Sequence, residues 1–198
     1  MWTAAILAGG QARRLGGRDK SALRVGAGSI LDRQLGVLRT LTPHILIVGG
    51  HGPIAELDVH VVQDRMTGAG ALGGLYTALM DAPTEQVLVI ACDMPFVSAP
   101  FLAALAALGA DVDAAVPRDA RGRHPLCASY QRRIAAGLKT RIDAGALRIA
   151  DALGDLHVRD IGPDELAPFD PDGRLLLNVN TPDDYERALR AAGVPPTA

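Results

Sequence analysis

The stretch LAGGQARRLGGRDKSAL, Leu7 to Leu23, directly follows an apolar run and holds four glycines, three arginines and a lysine against one acid, Asp19. Between Gln11 and Lys20, the cations Arg13, Arg14, Arg18 and Lys20 leave a local charge of +3 in a chain whose net charge is -2. Glycines let backbone N–H groups approach an anion without a Cβ in the way. Guanidinium and ammonium groups together suit a polyphosphate. Neither common phosphate loop fits. A dinucleotide fingerprint needs GxGxxG, but Gly9-Gly10 is followed by Gln11-Ala12; a P-loop needs Gly-Lys-Ser/Thr, but Lys20 follows Asp19. The loop reads as a phosphate binder of another kind, against the plainer reading of a solvated basic turn.

A second candidate is Asp93 in VLVIACDMPF, a carboxylate closing an apolar run. Such a group is either a turn cap or a metal ligand at the rim of a sheet. Mg²⁺ takes few carboxylates, several waters and substrate phosphate oxygens, so one aspartate backed by a triphosphate is sufficient chemistry. Cys92 alternates to the opposite side of the strand and reads as core. Neither Cys92 nor Cys127 lies in a CxxC pair, which points to two reduced core thiols.

The elements that must position these groups alternate. Strands are expected at Thr3–Ala8, His44–Gly50, Val59–Asp64, Glu85–Asp93, Asp113–Pro117, His124–Tyr130, His157–Ile161 and Leu175–Asn180. Helices are expected at Ser29–Leu41 with Ser29 as N-cap, Gly73–Ala82, Ala99–Gly109, from about Gln131, near Ile149–Leu153, and after Thr181, an N-cap followed by Pro182. Strand–helix alternation calls for a three-layer α/β fold, a mainly parallel sheet with helices on both faces. Ligands of such sheets bind beyond the carboxyl ends of the strands, here Ala8–Gly10, Asp64 and Asp93. Without repeats or a low-complexity linker, residues 1–198 read as a single domain. With 48% hydrophobic and 21% charged residues the chain has material for a core, built from aliphatics because aromatics are only 4%. The balanced charge argues against general nucleic-acid binding. No apolar run suits a membrane span or a secretory signal, so a cytoplasmic location is expected.

The pattern LAGGxxRRxGGxDKxxL resembles the signature loop of the molybdenum cofactor guanylyltransferases, the MobA family. These sit within a wider group of nucleotidyltransferases with a glycosyltransferase-A-like, Rossmann-related fold. The resemblance implies GTP and Mo-bound molybdopterin as substrates, Mg²⁺ as cofactor and molybdoenzymes or their chaperones as partners. It places Arg14 and Lys20 on the triphosphate, Asp93 on the metal, and Leu7, Ala8, Gly9, Gly10 and Gly17 in the nucleotide-binding set. Downstream, VVQDRMTGAGALGGLYTAL supplies Asp64 for the nucleotide, otherwise a turn-forming acid. The family's Gly-Pro-Leu-x-Gly is here Gly70-Ala71-Leu72-Gly73-Gly74, and an asparagine frequent after the second strand is replaced around Val48-Gly49. GRHPLCASY is similar to the family's His-Pro segment facing the second substrate, although His124 alone also suits a partly buried structural role. LLLNVNTPDDYERA is similar to its Asn-Val-Asn-Thr-Pro element, with Asn178 and Asn180 on one face of a strand toward a pterin or ribose. A cytidylyltransferase for the same pterin, a sugar-phosphate nucleotidyltransferase and a non-catalytic cofactor-delivery adaptor remain as alternatives.

Overall fold

The computed structural model describes residues 1–8, 22–50 and 58–193. The basic loop, with Gly9, Gly10, Arg13, Arg14, Gly17, Arg18, Asp19 and Lys20, therefore lies outside the described residues. The sheet is built from β1 (Thr3–Leu7), β4 (Ile45–Val48), β5 (His60–Val62), β6 (Gln86–Ala91), β7 (Ala114–Asp119), β9 (Cys127–Gln131) and β10 (Val158–Ile161). The short strand β8 (Gly122–Arg123) pairs with β7, and β2 (Arg24–Val25) pairs with β3 (Gly28–Ser29) as a separate ribbon. Across the sheet the order is β10-β7-β9-β6-β1-β4-β5. Strand β1 is parallel to β4, with Leu7 opposite Val48, and to β6, with Leu7 opposite Ala91. Strand β4 continues parallel to β5 and β10 parallel to β7, whereas β9 runs antiparallel to both β6 and β7. The reversal follows from chain length: only a short hairpin through β8 joins β7 to β9, too little for the crossover that parallel pairing requires.

Every residue of β1 is buried, as expected of a strand covered on both faces. Its side chains alternate between two cores. Ala4 and Ile6 pack with Leu31, Leu35 and Leu38 of α1 (Ile30–Leu38) and Phe101, Leu102 and Leu105 of α3 (Ala99–Leu108). Ala5 and Leu7 pack with Leu72, Leu75 and Leu79 of α2 (Gly70–Asp81) and Leu138 and Ile142 of α4 (Ala135–Asp143). Two helices per face give the three expected layers. The remaining helices are α5 (Ile149–Ala152), α6 (Pro163–Leu166) and α7 (Pro182–Ala191).

Both expected N-caps are present. The Asp32 amide donates to Ser29 Oγ at 3.0 Å and the Ser29 amide to Asp32 Oδ2 at 3.0 Å, a reciprocal capping box. Thr181 Oγ1 accepts from the Asp184 amide at 3.1 Å, with Pro182 opening α7.

Strand ends differ from expectation by up to three residues, β9 beginning at Cys127 rather than His124, and three further differences stand out. Helix α1 ends at Leu38 rather than Leu41. Helix α2 begins at Gly70 rather than Gly73, because Gly68 and Gly70 take φ of 86° and 58° and turn the chain into the helix earlier. The segment 175–180 is not a strand. The Leu175 amide turns back to Asp170 Oδ1 and the Leu177 amide to the Arg174 carbonyl, leaving the Val179 amide to reach a neighbour, the Asp93 carbonyl.

Candidate functional site at the carboxyl edge of the sheet

Parallel pairing brings the ends of β6, β1, β4 and β5 to one edge, and each carries a residue singled out by sequence. Leu7 and Ala8 end β1, Val48-Gly49 ends β4, Asp64 follows β5 and Cys92-Asp93 follows β6. The ends are laced together by backbone. The Ala8 amide donates to the Val48 carbonyl at 2.9 Å, the Gly49 amide to the Val62 carbonyl at 2.8 Å, and the Cys92 amide to the Leu7 carbonyl at 3.2 Å. Gly49 and Gly50 have φ of 75° and 92°, conformations that favour glycine at the place where the family resemblance leads to the expectation of an asparagine. Leu7 aims its side chain away from the edge, against Gly74 of α2.

Asp93 sits in a tight turn closed by the Met94 amide donating to the Ala91 carbonyl. It is 9% exposed. Its carbonyl accepts from the Val179 amide at 2.9 Å, and its Oδ1 lies 3.4 Å from Asn178 Nδ2. Asn178 therefore joins the Asp93 corner although it does not stand on a strand. Asn180 is exposed, and its amide donates to Asp184 Oδ2 at 3.1 Å as part of the α7 cap. Between the two asparagines Val179 is fully buried, in a small core with Leu23, Val25, Ile30 and Ala188. Cys92 is buried in the main core, as its alternation predicts.

At Asp64, Oδ1 accepts from the Met66 amide at 2.9 Å and stands 3.0 Å from Thr77 Oγ1. Thr77, fully buried on α2, also accepts from the Arg65 amide at 3.0 Å and lies 2.9 Å from the Gly73 carbonyl. Gly73 makes this approach possible, since a Cβ there would lie 2.9 Å from Ala69 Cβ and 3.0 Å from the Met66 carbonyl. The corner is thus held by side-chain bonds and a close glycine contact.

His124 reaches the same edge from the other side. Because β9 is antiparallel, the residues preceding it lie beside the end of β6, where the Ala91 amide donates to the Leu126 carbonyl at 2.7 Å. His124 Nε2 is 3.0 Å from Asp119 Oδ2, without the alignment of a hydrogen bond. Burial alone would raise the Asp119 pKa. Bonds from the Arg121 side chain and amide, with the neighbouring His124, outweigh it and bring it down to about 2. Arg121 also donates to the Leu176 carbonyl at 3.3 Å, tying the hairpin to the Asn178 segment.

Sequence reading missed Gln34. This α1 side chain is fully buried and donates to the Ala91 carbonyl at 2.8 Å and the Met94 carbonyl at 3.0 Å, on either side of Cys92-Asp93. A lone amide on the helix face of Leu31, Leu35 and Leu38 was the available signal.

A cavity of about 740 Å³ opens at the opposite, amino edge beside Thr3, His44, Asp58, His60 and Asp81. Asp81 is engaged there by a bidentate bond from Arg65, which holds its pKa down despite partial burial. The chemistry-bearing residues gather at the carboxyl edge, not here. Among the described residues no group of three or more His, Cys, Asp or Glu forms a metal cage. A single rim carboxylate fits a cation that arrives with phosphate oxygens rather than one held by protein alone. No helix of the described residues is long and apolar enough to cross a membrane.

Residues 4–157 match the family model of the MobA-like NTP transferase domain. A protein of Chloroflexus aggregans described as "Probable molybdenum cofactor guanylyltransferase" is 37% identical over 193 residues, covering 94% of this chain and 92% of its own length. The molybdenum cofactor guanylyltransferase of Desulfosudis oleivorans is 31% identical over 192 residues, covering 96% and 95%. The crystal structure of molybdopterin-guanine dinucleotide biosynthesis protein A from Archaeoglobus fulgidus aligns with a TM-score of 0.84 at 28% identity, over 98% of this chain and 99% of that one. Matching the family model over most of its length, and holding Asp64, Asp93, Asn178 and His124 at the carboxyl edge of a mainly parallel sheet, the chain belongs to the MobA-like NTP transferase family.

Proposed function

We propose that this chain is a molybdenum cofactor guanylyltransferase, moving GMP from GTP to the terminal phosphate of Mo-bound molybdopterin. The observation that carries the reading is the lacing of the Asp93 corner to the end of β1: the Cys92 amide bonds the Leu7 carbonyl, and the glycine–arginine loop follows directly after Ala8. Relatives named for this activity over nearly the whole chain supply the choice of guanylyl.

In the reaction an oxygen of the acceptor phosphate bonds to the α-phosphorus, the bond from that phosphorus to the bridging oxygen breaks, and pyrophosphate leaves. Phosphomonoesters lose their second proton at a pKa of about 6, so no strong general base is needed. Catalysis rests on positioning and charge neutralisation. Arg14 and Lys20 hold the triphosphate, with the backbone of Gly10 and Gly17 in the nucleotide-binding set. Leu7, Ala8 and Gly9 offer backbone to the base or ribose and Asp64 contacts the nucleotide. Asp93 would hold Mg²⁺, which would supply Lewis-acid neutralisation of phosphate charge. Asn178, Asn180 and His124 form the acceptor side. The reading treats residues 1–198 as one nucleotidyltransferase domain in the cytoplasm, handing its product to molybdoenzymes or their chaperones, without nucleic acid or membrane.

Turnover of GTP and CTP side by side with Mo-molybdopterin and Mg²⁺ tests it, read as pyrophosphate release and dinucleotide product. GTP is the expected substrate. Turnover of CTP alone would replace guanylyl by cytidylyl transfer, and tight binding of either nucleotide without turnover would favour the delivery adaptor.

A further inference from the structure

The face of α1 that meets the sheet is apolar at Ile30, Leu31, Leu35 and Leu38, yet Gln34 stands among them fully buried. An amide there is costly: its Oε1 is buried without a hydrogen-bond partner. Its two N–H groups are both committed to one target, the Ala91 carbonyl at 2.8 Å and the Met94 carbonyl at 3.0 Å. The next residue back, Arg33, continues the strap, donating from Nε to the Pro95 carbonyl at 3.1 Å and lying 5.8 Å from the Phe96 ring centre. Consecutive α1 residues thus grip the chain from Ala91 to Phe96 on one side, and the Val179 amide grips the Asp93 carbonyl on the other.

We propose that Gln34 is a positioning residue for Asp93, setting where that carboxylate stands toward a divalent cation carried by the triphosphate. The inference rests on the functional reading above and deepens it, because the Gln34 bonds go to the backbone around the ligand rather than to substrate. Groups behind a metal ligand typically change metal affinity or activity by about 10- to 100-fold when removed.

The test measures Mn²⁺ affinity of the GTP-bound protein by electron paramagnetic resonance, with kcat and KM for GTP alongside. Gln34→Met keeps an unbranched chain of similar size and removes both donors. It is expected to weaken Mn²⁺ binding about 10-fold and lower kcat to match, with KM for GTP unchanged. Leu31→Ala, which destabilises the same helix and removes no hydrogen bond to the turn, is expected to keep wild-type Mn²⁺ affinity. Should Gln34→Met fail to fold, Gln34→Leu, which also removes both donors and adds no charge, is read the same way. A folded Gln34 variant with wild-type Mn²⁺ affinity overturns the proposal, as does an equal loss in Leu31→Ala. If Asp93→Asn leaves wild-type Mn²⁺ binding intact, the metal reading itself falls and this inference with it. If Asp93→Asn abolishes binding while Gln34→Met does not, the positioning role alone is refuted.

Discussion

Asp64 and Asp93 each follow a strand of the same parallel set and stand at the same edge, but their corners are built in opposite ways. The Asp64 corner is built by its own carboxylate, whose Oδ1 gathers the Met66 amide and the Thr77 hydroxyl. The Asp93 corner is built mainly by other residues acting on backbone, Gln34 on the carbonyls of Ala91 and Met94 and the Val179 amide on the carbonyl of Asp93 itself, with the carboxylate adding the longer 3.4 Å bond from Asn178. A carboxylate that organises its own loop couples ligand contact to folding. One whose loop is held from outside can change its ligand chemistry without unmaking the loop.

The largest expected effect follows for Asp93→Asn, which keeps shape and removes charge. A loss of about 100-fold or more in kcat with Mg²⁺ is expected, with thermal midpoint almost unchanged. A large drop in midpoint would show that the carboxylate builds its corner after all. Gly73→Ala attacks the other corner by crowding, since the added carbon meets backbone and Ala69. Overpacking of this kind costs about 1–3 kcal/mol, to be read by chemical denaturation. Thr77→Val removes the hydroxyl between Asp64 and the Arg65 amide; about 1–2 kcal/mol should be lost with a few-fold rise in KM for GTP. Unchanged stability there would erase the contrast between the corners.

The smallest effect concerns Asp119, a third strand-end carboxylate that resembles Asp64 in binding its own turn through the Arg121 amide at 2.8 Å. Its pKa is lowered from 3.8 to about 2, so it binds a proton less readily folded than unfolded. The stability it contributes is present above pH 4 and is lost as pH falls from there through about 2. Asp119→Asn should flatten that part of the acid-unfolding curve and leave neutral stability slightly lower.

Much of the fold was legible because burial on both faces writes itself as short apolar runs, as in TAAIL and QVLVIA. Ser29 and Thr181 announced their helices through local side-chain chemistry. The segment LLLNVN misled because its apolar–polar alternation looks like a strand; what folds it is the carboxylate of Asp170 just before it and the distant carbonyl of Asp93. The direction of β9 was hidden too, since apolar content carries no sense of direction. Asp64 and Asp93 were found by their place after apolar runs, and His124 by its motif. Gln34 escaped because its partners are backbone carbonyls some sixty residues away, which have no sequence signature. The basic loop lies outside the described residues, so its part in the site rests on its sequence alone.

The reversed strand β9 has a consequence for how such an enzyme changes partners. A strand running against its neighbours delivers to the working edge the residues that come before it, so the hairpin from Arg118 to Leu126 arrives as a bracket closed at both ends, by β7 and by β9. The parallel strands β6, β1, β4 and β5 do not depend on that bracket for their own connections. Its tip can therefore be exchanged or lengthened as a cassette: under the proposed function, with His124 on the acceptor side, the acceptor a descendant recognises is free to drift while the corners of Asp64 and Asp93 stay fixed.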